Sequence, residues 1–394
     1  MGGGLKIETV ELVLLVAVVV AIVARRLRVP YTVGFVAAGA LVALTGIATG
    51  FVPTKDLIFK VLLPPLVFEA AFALRWDRLR AGLGPIALFA TAGLLVAAGI
   101  VWLGMVRLAG WDFRAAFAFA VLISATDPVS VLASFKDAGV GGRIRTIVEG
   151  ESLLNDGVAA ALFAVALALG AGEPVGAWRA WEIFLLNAGG GTLAGVLVGL
   201  VALVLLRGTS DHLVEIAVSA VAAYGAFLLA ETAHLSGVMA TLAAGLVLGN
   251  LGPISTLSAR AHEEGERFWE FAAFVANAFV FVLIGVSLTR ASFGSALVAS
   301  GLAIVLVLLG RAVAVYGGAL LLRGKARLNG REQHVLFWGG LRGALALGLA
   351  LGLPPDFPML AEIKTATFAA VAFSVIVQGM TVSPLIRRAG ADPA

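Results

Sequence analysis

Three carboxylates lie within one short segment, EGESLLNDG, whose surroundings are otherwise rich in Ala, Val and Leu. Folded as a helix, this segment places Glu149, Ser152 and Asp156 along one face. Glu151 and Asn155 share the adjacent face. Na⁺ and other hard cations prefer an all-oxygen surrounding of carboxylate, hydroxyl and backbone carbonyl groups. Because a half-buried carboxylate can hold either a proton or a cation, the segment predicts a site where the two compete for one acid.

Two further stretches combine a polar side chain with residues that interrupt helices. In ISATDPVSV, Pro128 disfavours helical geometry at Asp127 and frees the backbone carbonyl of Thr126. In FWGGLRGALALG, three glycines loosen the helix around Arg342. Irregular backbone at membrane depth is tolerated only where it lines a cavity or is covered by protein. The two stretches therefore predict two broken helices at a functional site.

The depth of these polar residues follows from a helical rise of about 1.5 Å per residue. Counted from the nearest basic residue, Asp156 and Arg342 each lie roughly 16 Å into the membrane and Asp127 about 13 Å. All three converge near the middle of a hydrocarbon core about 30 Å thick. Glu69, in LPPLVFEAAF, lies closer to the cytoplasmic side, and Glu149 lies within reach of that interface, where water would solvate it.

The composition is that of a membrane protein. Of the 394 residues, 60% are apolar and 13% are charged, and the mean hydropathy is +1.02. Soluble proteins carry about 25% charged residues. The sequence therefore predicts an all-α polytopic membrane protein. Cysteine is absent, which excludes disulfides, thiol nucleophiles and Cys-ligated metals, and no nucleotide-binding motif is present. The basic balance reflects positive residues on one membrane face rather than a nucleic-acid partner.

Thirteen apolar runs are long enough to cross the membrane. They fall near 9–24, 31–51, 57–74, 84–106, 114–135, 145–169, 181–206, 212–231, 235–251, 268–288, 294–322, 332–353 and 362–386. With the N-terminus outside, about two thirds of the 28 Lys and Arg residues fall on the cytoplasmic loops. This asymmetry predicts an outer N-terminus and a cytoplasmic C-terminus.

The predicted spans show an internal symmetry with an offset of about 214 residues. The offset maps 57–74 to 271–288, 84–106 to 298–320 and 145–169 to 359–383. It also maps Asp127 into the GGLRGA segment. Because the repeat is an odd number of spans long, equivalent helices run in opposite directions. Inverted repeats of this kind are typical of secondary transporters, whose substrate sites lie near the midplane at broken helices.

The same segments resemble a known family. ATDPV at 125–129 and EGESLLNDG at 149–157 are similar to signature segments of the CPA1-type cation/proton antiporters, which include the NhaP-like Na⁺/H⁺ antiporters and the animal Na⁺/H⁺ exchangers. FEAAF around Glu69 and GGLRGAL around Arg342 match two further segments, and the resemblance covers nearly the whole chain. It implies an NhaA/NhaP-like antiporter fold with 13 transmembrane helices, inverted-topology repeats and two crossed broken helices. It also implies a core domain at approximately 84–169 and 294–386 and a dimerisation domain at approximately 5–74 and 181–288.

The resemblance further implies a role for each matched residue. Asp156 would carry the cation or the proton, and Asn155 would support the site. The other ligands of the transported cation would be Asp127, Thr126 (through its backbone), Ser152 and Glu69. Glu151 and Arg342 would form a structural ion pair, which also agrees with the need of a buried arginine for a partner. The Asn-Asp pair, in place of Asp-Asp, favours electroneutral one-for-one exchange.

We therefore expect an electroneutral Na⁺(Li⁺)/H⁺ antiporter that works by alternating access, driven by the opposing ion gradient. We expect a homodimer in the plasma membrane of a prokaryote, not an enzyme, with no cofactor, nucleotide or nucleic-acid partner. K⁺/H⁺ exchange stays open, because both ions use oxygen ligands. A cation channel is a second alternative, disfavoured by the matched helix breaks and by the lack of a recognisable selectivity-filter segment. A Na⁺-coupled solute symporter is a third.

Overall fold

The computed structural model describes residues 7–27, 29–45, 54–207, 211–255, 259–290 and 297–390. Parts of two predicted spans, 46–51 and 294–296, lie outside these ranges, as do residues 5–6 of the predicted dimerisation domain. Within the described ranges nearly every segment is helical and no strand occurs. A helix satisfies its backbone groups internally, so long apolar runs adopt it wherever water is excluded. The predicted all-α class is confirmed.

The described residues form seventeen α-helices in chain order. These are α1 (Ile7–Leu27), α2 (Tyr31–Leu44), α3 (Leu63–Ala73), α4 (Trp76–Leu88), α5 (Leu94–Leu108), α6 (Phe113–Ser124), α7 (Val129–Ala138), α8 (Arg143–Gly170), α9 (Ala177–Leu205), α10 (His212–Thr232), α11 (Gly237–Ser255), α12 (Ala259–Arg290), α13 (Leu297–Ala312), α14 (Gly330–Trp338), α15 (Ala344–Gly352), α16 (Leu360–Phe373) and α17 (Gly379–Gly390). Four π-helical segments extend or join them, at Leu57–Leu62, Phe89–Gly93, Val313–Gly317 and Ser374–Gln378.

Eight helical segments of the described chain are long and apolar enough to cross a membrane. They are Trp76–Leu108, Phe113–Lys136, Arg143–Gly170, Ala177–Leu205, His212–Thr232, His262–Ser287, Leu297–Gly317 and Leu360–Arg388. Two shorter apolar helices are Tyr31–Leu44 and Gly237–Gly252. The protein is therefore a multi-pass helical membrane protein, and the count of thirteen spans stays a prediction.

Both predicted helix interruptions are present and touch each other. Helix α6 ends at Ser124 and α7 begins at Val129, with extended backbone at Ala125 between them. Helix α14 ends at Trp338 and α15 begins at Ala344. The N–H of Asp127 donates a hydrogen bond to the carbonyl oxygen of Leu341 at 2.7 Å. One interrupted segment thus satisfies a backbone group of the other, where no regular helix could.

The helices pack in two sets. Helices α4 to α8 pack among themselves and against α13 to α17. Helices α2 and α3 pack with α10 to α12, and α9 packs on α10 and α11. Close packing within the second set depends on glycine: a Cβ at Gly195 of α9 would overlap the carbonyl oxygen of Ala240 on α11, and one at Gly39 of α2 would overlap that of Val282 on α12. Small residues of this kind let membrane helices approach closely. The two sets contact each other through α8 with α9 and α11 and through α12 with α16. They also meet where α3, α8, α12 and α15 come together.

Candidate cation-binding site

A cavity of about 80 Å³ lies at this meeting point. Its wall comes from α3, the α6–α7 interruption, α8, α12 and the start of α15, and it is largely apolar. The side chains that could bind a cation on this wall are Glu69, Thr126, Asp127, Glu149, Asp156 and Asn277. Since one water needs roughly 10–15 Å³ of such space, the cavity has room for a cation that keeps part of its hydration shell.

Thr126 is held in place by two side chains of α8. Its N–H donates to Asn155 Oδ1 at 3.2 Å, and Asn155 Nδ2 donates to Thr126 Oγ1 at 2.6 Å. The hydroxyl oxygens of Thr126 and Ser152 are 3.0 Å apart and share a hydrogen bond. Asn155 therefore satisfies a backbone N–H of the interruption, and Thr126 is one of the residues that line the cavity.

Asp127 lies at the positive ends of two short helices. Its Oδ1 accepts from the N–H of Val129, at the start of α7, at 2.9 Å, and its carboxylate also accepts from the N–H of Ala344, at the start of α15. Helix N-termini favour negative charge. A Cβ at Gly343 would overlap the Asp127 carboxylate, so glycine is required for this approach. The side chain of Asp127 is thus held in one position.

Asp156 has no such anchoring. Its Oδ1 is buried and has no hydrogen-bond partner among the residues that the structure describes. It interacts electrostatically with Asp127 and with Arg342. A buried carboxylate without a partner carries a large desolvation penalty unless it binds a proton or a cation. Asp156 is therefore the group at this site most in need of an exchangeable partner.

Arg342 is engaged by backbone rather than by an acid. Its Nη1 donates to the carbonyl oxygens of Ser124 and Ala125 at 2.8 and 3.2 Å, and its own N–H donates to Ser374 Oγ at 2.9 Å. Those carbonyls end α6, where the helix dipole favours a cation. Arg342 therefore caps α6 and connects the two interruptions.

The predicted ion pair between Glu151 and Arg342 is wrong, because Glu151 pairs with a different arginine. Glu151 pairs with Arg311 of α13 through two hydrogen bonds, one from Nη2 to Oε2 at 3.0 Å and one from Nη1 to Oε1. Arg311 Nη2 also donates to the carbonyl oxygen of Leu336, near the end of α14, at 2.8 Å. Each buried arginine thus binds the C-terminal carbonyls of one interrupted helix, and the acid lies beside Arg311.

Comparison with known proteins identifies the family of this chain. Residues 13–388 match the family described as sodium/hydrogen exchanger, transmembrane. This chain belongs to the sodium/hydrogen exchanger family. The resemblance read from the ATDPV and EGESLLNDG segments is confirmed, and as a member of an exchanger family the chain is a transporter rather than an enzyme.

Individual exchangers cover almost the whole chain. The Na⁺/H⁺ antiporter NhaG of Bacillus atrophaeus is 36% identical across 96% of this chain and 74% of its own length. The Na⁺/H⁺ antiporter NhaH of Halobacillus aidingensis is 33% identical across 96% of both chains. The solved structure of the sodium proton antiporter MjNhaP1 from Methanocaldococcus jannaschii at pH 8 matches with a TM-score of 0.80 at 18% identity, covering 98% of this chain and 99% of that one. The last match shows that the two share a fold.

In this exchanger, the predicted site residues occupy three positions. Glu69, Thr126, Asp127 and Asp156 line the cavity. Ser152 and Asn155 form hydrogen bonds to Thr126, next to the lining of the cavity. Glu151 and Arg342 are not among the lining residues: Glu151 binds Arg311, and Arg342 binds the end of α6.

Three residues escaped the sequence prediction of the site. Arg311 interrupts the apolar run LVLLGRAVAVYG, and a buried arginine always signals a partner. Asn277 is an isolated amide in the apolar run FVANAFVF. Glu149, expected at the solvated interface, is part-buried and lines the cavity. Glu149 shares a helical face with Asp156, and this spacing indicates that both side chains reach the cavity.

Proposed function

We propose that this chain exchanges Na⁺ or Li⁺ for H⁺ across the membrane, with Asp156 carrying either ion. The observation that supports this most strongly is the buried, unpartnered Asp156 Oδ1 on the wall of a cavity lined by further acids. The choice of Na⁺ rests on the relatives, which are named Na⁺/H⁺ antiporters.

The proposed ligands of the transported cation are Asp156, Asp127, the Thr126 carbonyl, Ser152 and Glu69. Carboxylate, hydroxyl and carbonyl oxygens are the ligands that hard cations prefer. Asp127 supplies carboxylate oxygens that the N-termini of α7 and α15 hold in place. Asp156 supplies the charge that a proton can remove. Asn155 supports the site by holding Thr126.

Competition at one carboxylate is sufficient for exchange. With a cation or a proton bound, Asp156 is neutralised and the occupied site can move between the two faces; with neither bound, the buried charge opposes the movement. A single carrier of this kind gives one-for-one, electroneutral exchange. Asn155 occupies the position where a second acid would add a proton, and its amide is committed to Thr126.

The movement we propose is that of a core domain (84–169 and 294–386) against a dimerisation domain (5–74 and 181–288). In its support, the two sets of packed helices follow this division, and the cavity lies where they meet. The thirteen spans, the inverted repeats, the homodimer and the plasma membrane of a prokaryote belong to the same proposal. The distribution of Lys and Arg supports an outer N-terminus and a cytoplasmic C-terminus.

The test is proton flux in acid-loaded proteoliposomes, followed with a pH dye after addition of Na⁺, Li⁺ or K⁺ at several clamped membrane potentials. We expect alkalinisation with Na⁺ and Li⁺ at rates that do not depend on the potential. Liposomes carrying the Asp156→Asn variant are the control for leak. A response to K⁺ alone would show that the transported cation is K⁺ instead of Na⁺. An exchange rate that follows the membrane potential would refute electroneutrality. A conductance far above carrier turnover would indicate a channel.

A further inference from the structure

Asn277 is a buried amide on the wall of the same cavity. It lies in the middle of α12 and is only 3% exposed. Its Oδ1 is buried and makes no hydrogen bond to any residue in the described part of the chain. Its neighbours along the helix, in FVANAFVF, are apolar or small.

An unpartnered amide oxygen in such a place is unfavourable by itself. Burying a carbonyl without a hydrogen bond costs free energy, and an apolar side chain of the same size would avoid that cost. Asp156 Oδ1 is in the same condition, and both side chains line one cavity. Two oxygens without hydrogen-bond partners in one cavity would be stabilised by a bound cation, or by a water molecule that a cation orients.

We infer that Asn277 binds the transported cation through its amide oxygen, as a ligand in addition to those proposed above. This inference rests on the proposed exchange function. An amide adds an oxygen ligand without adding charge, in a cavity that already holds the carboxylates of Glu69, Asp127, Glu149 and Asp156. It therefore increases affinity for the cation while leaving the electrostatic balance between cation and proton at Asp156 unchanged.

The position of Asn277 extends this argument. Helix α12 packs against α2 and α3, whereas Asp127 and Asp156 belong to the other set of helices. A cation that contacts Asn277 and Asp156 together therefore connects the two sets. Contact with Asn277 then stabilises the cation-loaded site in the arrangement seen here.

The experiment compares Na⁺ dependence in proteoliposomes for the wild type, Asn277→Leu, Asn277→Asp and a matched control, Asn187→Leu. Leucine is close to asparagine in size and lacks the oxygen, whereas aspartate keeps the oxygen. Asn187 is an amide on α9 whose Nδ2 donates within its own helix, to Ile183, and which does not line the cavity. Should Asn277→Leu fail to elute as a folded protein, Asn277→Ala carries the same test.

We expect Asn277→Leu to raise the KM for Na⁺ about tenfold or more, the loss typical of one hydrogen-bond acceptor facing a charge, with little change in the maximal rate. Asn277→Asp should recover most of the affinity, and Asn187→Leu should match the wild type. An unchanged KM in Asn277→Leu, beside normal exchange by the wild type, would overturn this inference alone. A lower KM would also overturn it, because the amide would then be stabilising protonated Asp156. Absence of exchange by the wild type would refute the proposed function and this inference with it.

Discussion

Arg311 of α13 holds the carboxylate of Glu151 through two hydrogen bonds, deep inside the protein. Glu151 is 1% exposed and Arg311 is 7% exposed. Because Glu151 lies five residues before Asp156 on α8, and Arg311 also binds the carbonyl of Leu336 in α14, the pair connects the helix of the carrier residue to one of the interrupted helices.

Removing either partner of this pair should destabilise the fold. Glu151→Leu or Arg311→Leu leaves a buried charge without its partner, which costs about 3–5 kcal/mol, whereas removing both restores much of the loss. Thermal unfolding of the purified protein in detergent measures this. A double variant Glu151→Leu/Arg342→Leu is the control, and its coupling energy should be smaller, because Arg342 makes no hydrogen bond to Glu151 in the described part of the chain. Coupling of Glu151 to Arg342 rather than to Arg311 would contradict the observed pairing.

The wrong assignment of this pair shows what hydropathy and depth cannot resolve. Arg311 and Arg342 are both arginines in apolar runs, and Glu151 can be assigned to either from the sequence. The choice depends on which helix ends lie nearby, because the carbonyls that end α6 occupy Arg342. Those contacts join residues more than 200 positions apart and leave no local pattern.

Three of the four acids of the cavity, Glu69, Asp127 and Asp156, could in contrast be predicted. Pro128 fixes an interruption beside Asp127, and the helical rise places Asp156 at a similar depth, so their convergence follows from local rules. Asn277 was missed because an amide carries no charge, so it stands out less from an apolar run than a buried acid does. The π-helical turns at Phe89–Gly93 and Val313–Gly317 were also invisible, since they leave the apolar pattern unchanged.

Asp156→Asn should give a folded protein without exchange activity. The amide has nearly the same size, so packing is preserved, but it cannot alternate between a proton and a cation. The measurement is Na⁺-driven proton flux, with elution on size exclusion and the melting temperature as controls for folding. Robust exchange by this variant would remove Asp156 from the mechanism.

The apparent KM for Na⁺ should depend on pH in a specific way. Protons and Na⁺ compete for Asp156, so a lower pH leaves fewer carboxylates free and raises the KM. Where the protonated form dominates, a single site predicts about a tenfold rise in KM per pH unit, with no change in the maximal rate. Initial rates over a grid of pH and Na⁺ concentration measure this dependence. A slope near two would show that a second proton is released with each cation, and a KM that ignores pH would refute direct competition.

Gly343→Ala should abolish or strongly reduce transport, because it displaces Asp127. The added Cβ would overlap the Asp127 carboxylate, so this acid must leave the N-termini of α7 and α15 that hold it. Displacement of a fixed ligand lowers cation affinity, and we expect a higher KM for Na⁺ together with a lower melting temperature. Gly301→Ala on α13 is the matched control, because a Cβ there meets no atom within 4 Å of it in the described part of the chain. Equal behaviour of the two variants would show that Asp127 does not need its place between the two helix ends.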